Sequence, residues 1–506
     1  MKLVHLMRAM EYTPRDMRAA NLRLALWSSG VNRIGQQVFM SSTVFNFFES
    51  DYTPAGPLAA ASLVAPEAQL GTAPFIVGFL NGAFSLINYG LTSCHGGVGS
   101  PNYGRRCGRT DRARATADGA LAFSPTSTLA GGLIDELDLL LTGGRLSEHT
   151  RIVVRAAYDA KLAATSDTAD AMRVAQALIV ASAEFHTTNA NVASSIPRVP
   201  RVEQPSQGRL YKAVIVLFLG GGVDSFNMLV PLSDCGTATT RAEYDVLRQH
   251  HALSTSTLLP ISVPAGTQPC ATFGLHPSLP ALKAMYDGGD AAFIANIGTL
   301  VEPLNRADVQ CHAPPCRQTP PALYAHNTQS TRAFSVHAQS ASAHGVVGRI
   351  IDALTSGTSP YKTAAYSLAD TAKILEGEVP VDMIGAEGVE RVEALTEIAA
   401  PLAEMGALES TSLFAETYMR LLNSSIATTE DMGALLDNVT TSEPFAPAVD
   451  EGDSLSPQLR QIAKIIKLRH ARQTERDFFF AKLGGFDTHN DEDGSERTCQ
   501  PFVCSG

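Results

Sequence analysis

The stretch of residues 212–227 constrains the fold of this chain more than any other part of its sequence. It begins with an uncharged run, residues 213–219, which is rich in β-branched side chains and is followed by three consecutive glycines. A run this short and this apolar predicts a strand buried on both faces, as in a parallel sheet covered by helices. The glycines let the backbone turn sharply and approach a ligand closely. We therefore expect a strand that ends at a ligand-binding turn.

Asp224 follows this turn, at the carboxyl end of the predicted strand. Open α/β sheets place their chemistry at that end. One interpretation is that Asp224 binds a metal ion or positions a nucleophile. The other is that it caps the following helix, and residues 212–227 alone do not decide between the two.

A second turn of the same kind is predicted near the carboxyl end of the chain. A buried strand over residues 477–483 leads into two glycines and then into Asp487 and His489. Carboxylate and imidazole groups are ligands that hold divalent ions in proteins. If the two strands are neighbours, Asp224, Asp487 and His489 share one divalent metal ion of open identity. For Asp487 a helix cap is again the alternative.

The chain between the two turns alternates between predicted helices and strands. A helix is predicted within residues 275–286 and a buried strand over residues 291–298, and the segment 323–329 contains His326. This alternation indicates an α/β domain with a parallel or mixed sheet. His326 is a further candidate for chemistry, with a structural, hydrogen-bonded histidine as the alternative.

Four regions are predicted along the chain. Residues 1–187 form a mainly helical domain, because apolar side chains recur there at helical spacing. Residues 188–208 are polar and contain three prolines, which is typical of a linker. The α/β domain covers residues 209–491, and residues 492–506 form a tail. Residues 73–91 carry no charge but include a proline and three glycines, so we expect a buried helix there and no membrane span.

The net charge and the cysteine content limit which partners and which cellular compartment this protein can have. The net charge of −11 argues against nucleic acid as a partner, since no basic surplus is present to neutralise phosphates. The eight cysteines form local couples in loop-like sequence, which predicts four disulfides and an extracellular or other oxidising compartment. No signal peptide is visible in this chain, and the oligomeric state is left open. The couples are Cys94 with Cys107, Cys235 with Cys270, Cys311 with Cys316, and Cys499 with Cys504.

The amino-terminal region resembles a known helical family. Residues 44–57 and 63–70, together with the Ser-Ala-Glu-Phe-His motif at 182–186, are similar to the carboxyl-terminal half of proteins with the domain of unknown function 1800. The resemblance covers residues 15–187. It implies a helical fold and no catalytic residue, since none is established for that family.

Four motifs of the predicted α/β domain occur in the order of a second known family. They are Phe-Leu-Gly-Gly-Gly-Val-Asp-Ser-Phe-Asn at 218–227, Gly-Leu-His-Pro-Ser-Leu at 274–279, Leu-Tyr-Ala-His-Asn-Thr-Gln at 323–329, and Gly-Gly-Phe-Asp-Thr-His-Asn at 484–490. With them the domain resembles the domain of unknown function 1501, a family similar to the sulfatases and alkaline phosphatases, which hydrolyse sulfate or phosphate esters at one or two metal ions. The resemblance implies an alkaline-phosphatase-like α/β sandwich with a mostly parallel sheet, and it puts Asp224, Asp487 and His489 where metal ligands are expected.

Two departures from that family's pattern weaken the expected site. The chain contains neither the Glu-Phe-Gly-Arg nor the Asp-His-Gly segment with which the family continues, so we expect a truncated, incomplete sandwich. Ala325 and Thr328 stand where the family has a serine and an aspartate. A metal site with fewer ligands binds more weakly. The catalytic group stays unassigned, with Ser225, Thr328 and His326 as candidates.

The resemblance therefore implies a metal-dependent hydrolase of small-molecule or polymeric phosphate or sulfate esters, impaired by truncation. The alternative is a non-catalytic, secreted or surface-associated protein that uses the same fold as a binding scaffold. A third interpretation is an incomplete gene model of an active enzyme.

Overall fold

The structure of this chain is a computed structural model, and it describes most of the sequence. The described residues are 1–15, 27–28, 31–32, 34–36, 47–48, 50, 52–54, 56–99, 117–198, 204–221, 223–233, 235, 239–264, 266–295, 297–311, 315–320, 326–337, 339, 343–369, 372–379, 381–385, 388–389, 391–392, 395–440, 455–486, 499–500 and 503–504. Within these ranges the chain is a mixed α/β protein, which confirms the coarse fold prediction.

Helices make up most of the regular structure in the described part of the chain. They are α1 (Lys2–Ala9), α2 (Pro57–Ala60), α3 (Ala73–Tyr89), α4 (Ala130–Thr142), α5 (Glu148–Thr165), α6 (Thr168–Ala181), α7 (Ala183–His186), α8 (Thr240–Arg248), α9 (Pro280–Asp287), α10 (Arg306–Val309), α11 (His326–Ser335), α12 (Val346–Ser356), α13 (Leu395–Met405), α14 (Leu413–Asp437), α15 (Leu455–Lys467) and α16 (Arg469–Arg472).

The strands are shorter and fall into several small sheets. They are β1 (Tyr12–Pro14), β2 (Trp27–Ser28), β3 (Val31–Asn32), β4 (Gly119–Leu121), β5 (Ala193–Pro197), β6 (Lys212–Gly221), β7 (Leu229–Ser233), β8 (Leu259–Ser262), β9 (Thr272–Leu275), β10 (Thr363–Ser367), β11 (Val381–Met383), β12 (Leu408–Ser410), β13 (Arg476–Phe486), β14 (Cys499–Gln500) and β15 (Val503–Cys504). The largest sheet is parallel and has the strand order β11-β10-β13-β6.

The chain divides into two compact units. The first comprises Met1–Val216 and Thr319–Ala481, and the second comprises Leu217–Gln318 and Lys482–Gly506. The domain boundaries expected from the sequence stay a prediction. Inside the expected linker, β5 forms an antiparallel pair with β12 of the same unit.

The first unit is built around an apolar core of packed helices. Helix α3 lies inside it, with Val77, Leu80 and Ala83 fully buried, which confirms the predicted buried helix. Among the described residues, no helix has both the length and the apolar character that a membrane crossing requires. Burying such helices against one another supplies most of their stability, because helical propensity alone is weak.

The Ser-Ala-Glu-Phe-His motif of the first unit has a structural role in this fold. Glu184 is 1% exposed, and its Oε1 accepts hydrogen bonds from the Ser147 N–H at 3.1 Å and the Thr150 hydroxyl at 2.9 Å. A carboxylate at the amino terminus of α5 satisfies donors that the helix itself cannot pair. Phe185 is fully buried in the core beside it. The motif therefore fixes α7 against α5.

The two long strands of the parallel sheet differ in their surroundings. On β13, Phe478, Phe479 and Phe480 are buried, so the predicted buried strand at 477–483 is confirmed. On β6, Val214 and Leu217 are each 46% exposed. The predicted strand over 213–219 exists, but its burial on both faces is wrong. Among the described strands β6 is last in the order of its sheet, and side chains on both of its faces, over residues 213–217, are left open to solvent.

The buried strand predicted over residues 291–298 is also wrong in this structure. The described residues of the segment form no strand, and Ile294 and Ile297 are 81% and 77% exposed. An apolar run becomes a strand only where a neighbouring strand takes up its hydrogen bonds.

Two of the four predicted disulfides are present among the described residues. Cys235 is joined to Cys270, and Cys311 to Cys316. Cys107 lies outside the described residues, as do the side chains of Cys499 and Cys504, so those two pairings stay predictions. Opposed backbone positions in the β14–β15 hairpin bring Cys499 and Cys504 into register. The two observed bridges are compatible with an oxidising compartment.

Candidate functional site

The candidate site lies at the carboxyl end of β6, in the second unit. A Cβ added at Gly220 would lie 3.1 Å from the Cε of Lys482 and 3.7 Å from the carbonyl oxygen of Leu483, both on β13. Gly221 has a φ of +125°, which L side chains rarely adopt, so the strand ends in a turn that requires glycine. The ends of β6 and β13 are therefore adjacent at this point.

Asp224 follows this turn and lies exposed at the surface. It precedes a short 3₁₀ turn, Ser225–Asn227, but its side chain makes no capping hydrogen bond. The helix-cap interpretation of Asp224 is therefore wrong. Its carboxylate instead forms an ion pair with the guanidinium of Arg248, the last residue of α8.

Arg248 is the ion-pair partner of Asp224 in the second unit. Its guanidinium lies 5.9 Å from the ring centroid of Phe226, which is itself 70% exposed. The Nε of Arg248 is buried and makes no hydrogen bond to the described residues. Arg248 therefore has one guanidinium N–H on Asp224 and its Nε–H buried, and the side chain as a whole is 26% exposed. Exposed guanidinium groups are suited to phosphate and sulfate oxygens.

Asn227 holds the loop that carries this pair. Its Nδ2 donates to the carbonyl of His251 at 3.1 Å, and its Oδ1 accepts from the hydroxyl of Tyr244 at 2.6 Å. The Tyr244 hydroxyl in turn accepts from the N–H of Leu253 at 2.8 Å. This chain of hydrogen bonds connects the turn after β6 to the end of α8. It keeps Arg248 within reach of Asp224.

His276 is the second polar neighbour, at the end of β9. Its backbone N–H donates to the carbonyl of Met228 at 3.2 Å, and its Nδ1 accepts from the N–H of Ser278 at 3.2 Å. Burial lowers the pKa of His276, and the negative charge of Asp224 opposes that shift. Because Nδ1 accepts, the neutral ring carries its proton on Nε2. In this form His276 is a hydrogen-bond donor and not a metal ligand through Nε2.

The residues predicted from the sequence are only partly described. Ser225 is exposed and follows Asp224 directly. His326 and Thr328 lie in the first turn of α11, in the first unit, and their side chains are outside the described residues. Asp487 and His489 also lie outside the described residues. The convergence of the three predicted metal ligands therefore stays a prediction.

Sequence reasoning missed Arg248 and His276. His276 stands in the Gly-Leu-His-Pro-Ser-Leu motif, so a signal was present. Arg248 has no motif and reaches Asp224 only because α8 folds back over 24 residues of chain. Across the described residues, no group of three or more His, Cys, Asp or Glu side chains is arranged to hold a metal ion.

A concave region in the first unit is lined by Ser147, Glu184, Arg198 and Glu409 among others. The donors of Arg198 are engaged by the carbonyls of Gly406 and Leu408, each at 2.8 Å, and by Glu416. This region is therefore held together by its own polar groups, and the site after β6 is the better candidate.

Comparisons with protein-family models, with curated proteins and with solved structures found no match to this chain.

Proposed function

We propose that this chain is a metal-dependent hydrolase of phosphate or sulfate esters, with its site at the carboxyl ends of β6 and β13. The observation that carries the proposal is the adjacency of Gly220 to Lys482 and Leu483. Asp224 lies four residues beyond Gly220, and Asp487 lies four residues beyond Leu483. Two acidic residues at equal distances past adjacent strand positions favour a shared cation, since two nearby carboxylates repel each other without one.

The described part of the site fits a divalent ion in one respect. Asp224 is a hard oxygen ligand, and its exposure allows an ion to reach it. One of its oxygens is held by Arg248, so an ion would share Asp224 with the guanidinium or displace it. Asp487 and His489 are the further ligands in this proposal. A divalent ion at such a site would act as a Lewis acid on the ester oxygen.

The chain's own side chains supply binding and a hydroxyl. Arg248 binds the negatively charged ester group through the exposed part of its guanidinium, which Asp224 holds in place. His276 donates its Nε2 proton to an oxygen of the same group. Ser225 is the exposed hydroxyl nearest in sequence to Asp224 and is the candidate nucleophile.

The test is turnover of aryl phosphates and aryl sulfates by the intact, metal-stripped protein with and without Mn²⁺. We expect hydrolysis that requires Mn²⁺ and falls by about a hundredfold in Asp224→Asn. The matched control is Asp245→Asn, which removes a surface carboxylate paired with Arg241 on α8. Absence of turnover with every ester, or equal turnover in both variants, would overturn the proposal.

A second candidate is a non-catalytic protein that binds sulfate or phosphate groups, in an extracellular or other oxidising setting. The ion pair between Arg248 and Asp224 favours it, because the guanidinium already neutralises the carboxylate that a metal would need. This candidate predicts metal-independent binding of aryl sulfate that is lost in Arg248→Gln, with no hydrolysis. Equilibrium dialysis with EDTA separates the two functions.

A further inference from the structure

Arg332, on α11 of the first unit, is a buried arginine whose charge the described residues do not neutralise. It is 8% exposed. Its Nε and Nη1 are enclosed by the protein and donate no hydrogen bond to the described residues, none of which forms an ion pair with it. Arg472, which is buried to a similar degree in the same unit, is paired with Asp477. Charged side chains are almost never fully buried without a partner, because an uncompensated buried charge is strongly destabilising.

Arg332 is close to the carboxyl end of two parallel strands. The register of β10 and β13 ends with Ser367 opposite Phe480, and the ring of Phe334 on α11 lies 6.0 Å from that of Phe480 in an edge-to-face contact. Helix α11 also packs against the 3₁₀ turn Lys373–Leu375, which follows β10. Open α/β sheets bind their ligands outside this end of the strands.

The acidic residue beside that turn is already engaged. Glu376 pairs with Lys373 at 2.9 Å, so it does not serve as the counter-charge of Arg332. The buried face of α11 continues one turn further with Ser335, which is 0% exposed and whose hydroxyl donates to the carbonyl of Arg332 at 3.3 Å. Arg332 is therefore held in place on the inner face of α11 and lacks only a negative charge.

We propose that Arg332 binds an oxyanion group of a small ligand (a phosphate, a sulfate or a carboxylate) at the carboxyl end of the β10–β13 pair. Nη2 is not among the enclosed atoms and is the nitrogen that contacts the anion. The guanidinium charge is delocalised over its three nitrogens, so an anion at Nη2 also compensates the charge at Nε and Nη1. This binding goes beyond the proposed hydrolysis, since it requires neither Asp224 nor Arg248 nor a metal ion.

Equilibrium dialysis of the intact protein against labelled phosphate, in EDTA, tests the proposal. Arg248→Gln is used as the background, so that binding after β6 does not contribute. We expect this protein to bind phosphate, and the added change Arg332→Met to weaken the binding by at least about tenfold. The control is Arg155→Met, which removes an arginine with a 62% exposed side chain on α5 of the same unit and should leave binding unchanged. The same measurement with sulfate and acetate identifies the oxyanion class.

Urea unfolding supplies a second readout, which a merely structural arginine would not produce. Without an added oxyanion, Arg332→Met should unfold at the same or a higher urea concentration, because an apolar side chain of similar length replaces an unpaired charge. The bound anion should raise the midpoint of the background protein and leave that of Arg332→Met where it is. Absence of binding for all three oxyanions, binding that survives Arg332→Met, or a loss of stability in Arg332→Met without any anion would overturn the proposal.

Discussion

One arginine–aspartate pair of the first unit and one of the second differ in burial. In the first unit, Arg472 and Asp477 are 7% and 0% exposed. In the second unit, Arg248 and Asp224 are 26% and 43% exposed. The buried pair therefore has a structural role, whereas the exposed pair is accessible to a ligand. A buried pair cannot exchange its partner without leaving a charge uncompensated, whereas an exposed pair can exchange it at little cost.

The surroundings of the two pairs extend this difference. Asp477 also accepts a hydrogen bond from the Tyr211 hydroxyl at 2.6 Å, and Arg472 donates to the Tyr366 hydroxyl at 2.8 Å. Asp224 and Arg248 lie nearer the surface, and the guanidinium lies close to the exposed ring of Phe226. The buried network specifies the fold, and the exposed pair is accessible to a ligand.

The largest expected effect is the loss of the buried pair. Asp477→Ala should lower the free energy of unfolding by about 3–5 kcal/mol, because it leaves the Arg472 guanidinium buried without a counter-charge. Asp224→Ala, the matched change at the exposed pair, should cost at most about 1 kcal/mol. Urea unfolding followed by circular dichroism measures both. Equal effects of the two changes would remove the distinction between the pairs.

The disulfides of the second unit should give the next largest effect. Cys235 and Cys270 are 35 residues apart and enclose α8 with Arg248, whereas Cys311 and Cys316 are 5 residues apart. Replacing the first bridge by two alanines should cost about 4 kcal/mol and replacing the second about 2 kcal/mol, since longer loops lose more entropy when closed. Urea unfolding of the two double variants checks this order. A larger loss for the short loop would contradict it.

Acid should weaken the first unit through His186. Burial, and to a smaller extent the nearby charge of Lys2, lowers the pKa of His186 from 6.5 to about 3. The unfolded chain therefore binds a proton below pH 6.5 that the folded chain refuses until about pH 3. The stability that neutral His186 contributes is complete above pH 6.5 and falls as the pH drops from 6.5 to about 3. The loss is at most about 1.4 kcal/mol per pH unit. His186→Gln should flatten the slope, and an unchanged slope would contradict the assignment.

The helices of the first unit were predictable because their apolar residues recur at helical spacing. The inner strand β13 was predictable because its apolar residues form a continuous run. The wrong predictions concern burial at β6 and strand formation at residues 291–298. Both depend on which strands are neighbours, which a single sequence does not contain. Asp224 was found from its glycine turn. Arg248 was not found, because it reaches Asp224 only through the folding of α8 and is not marked by any pattern near it in the sequence.

The most direct test of the account is calorimetric titration of the metal-stripped protein with Mn²⁺. The unmodified chain should bind one ion, and Asp224→Asn should bind it at least about tenfold more weakly. Asp245→Asn should bind as the unmodified chain does, since its carboxylate pairs with Arg241 on the surface of α8. Arg248→Gln should bind at least as tightly, because it releases Asp224. Failure of the unmodified chain to bind Mn²⁺, or equal affinity in Asp224→Asn, would contradict the proposed metal site.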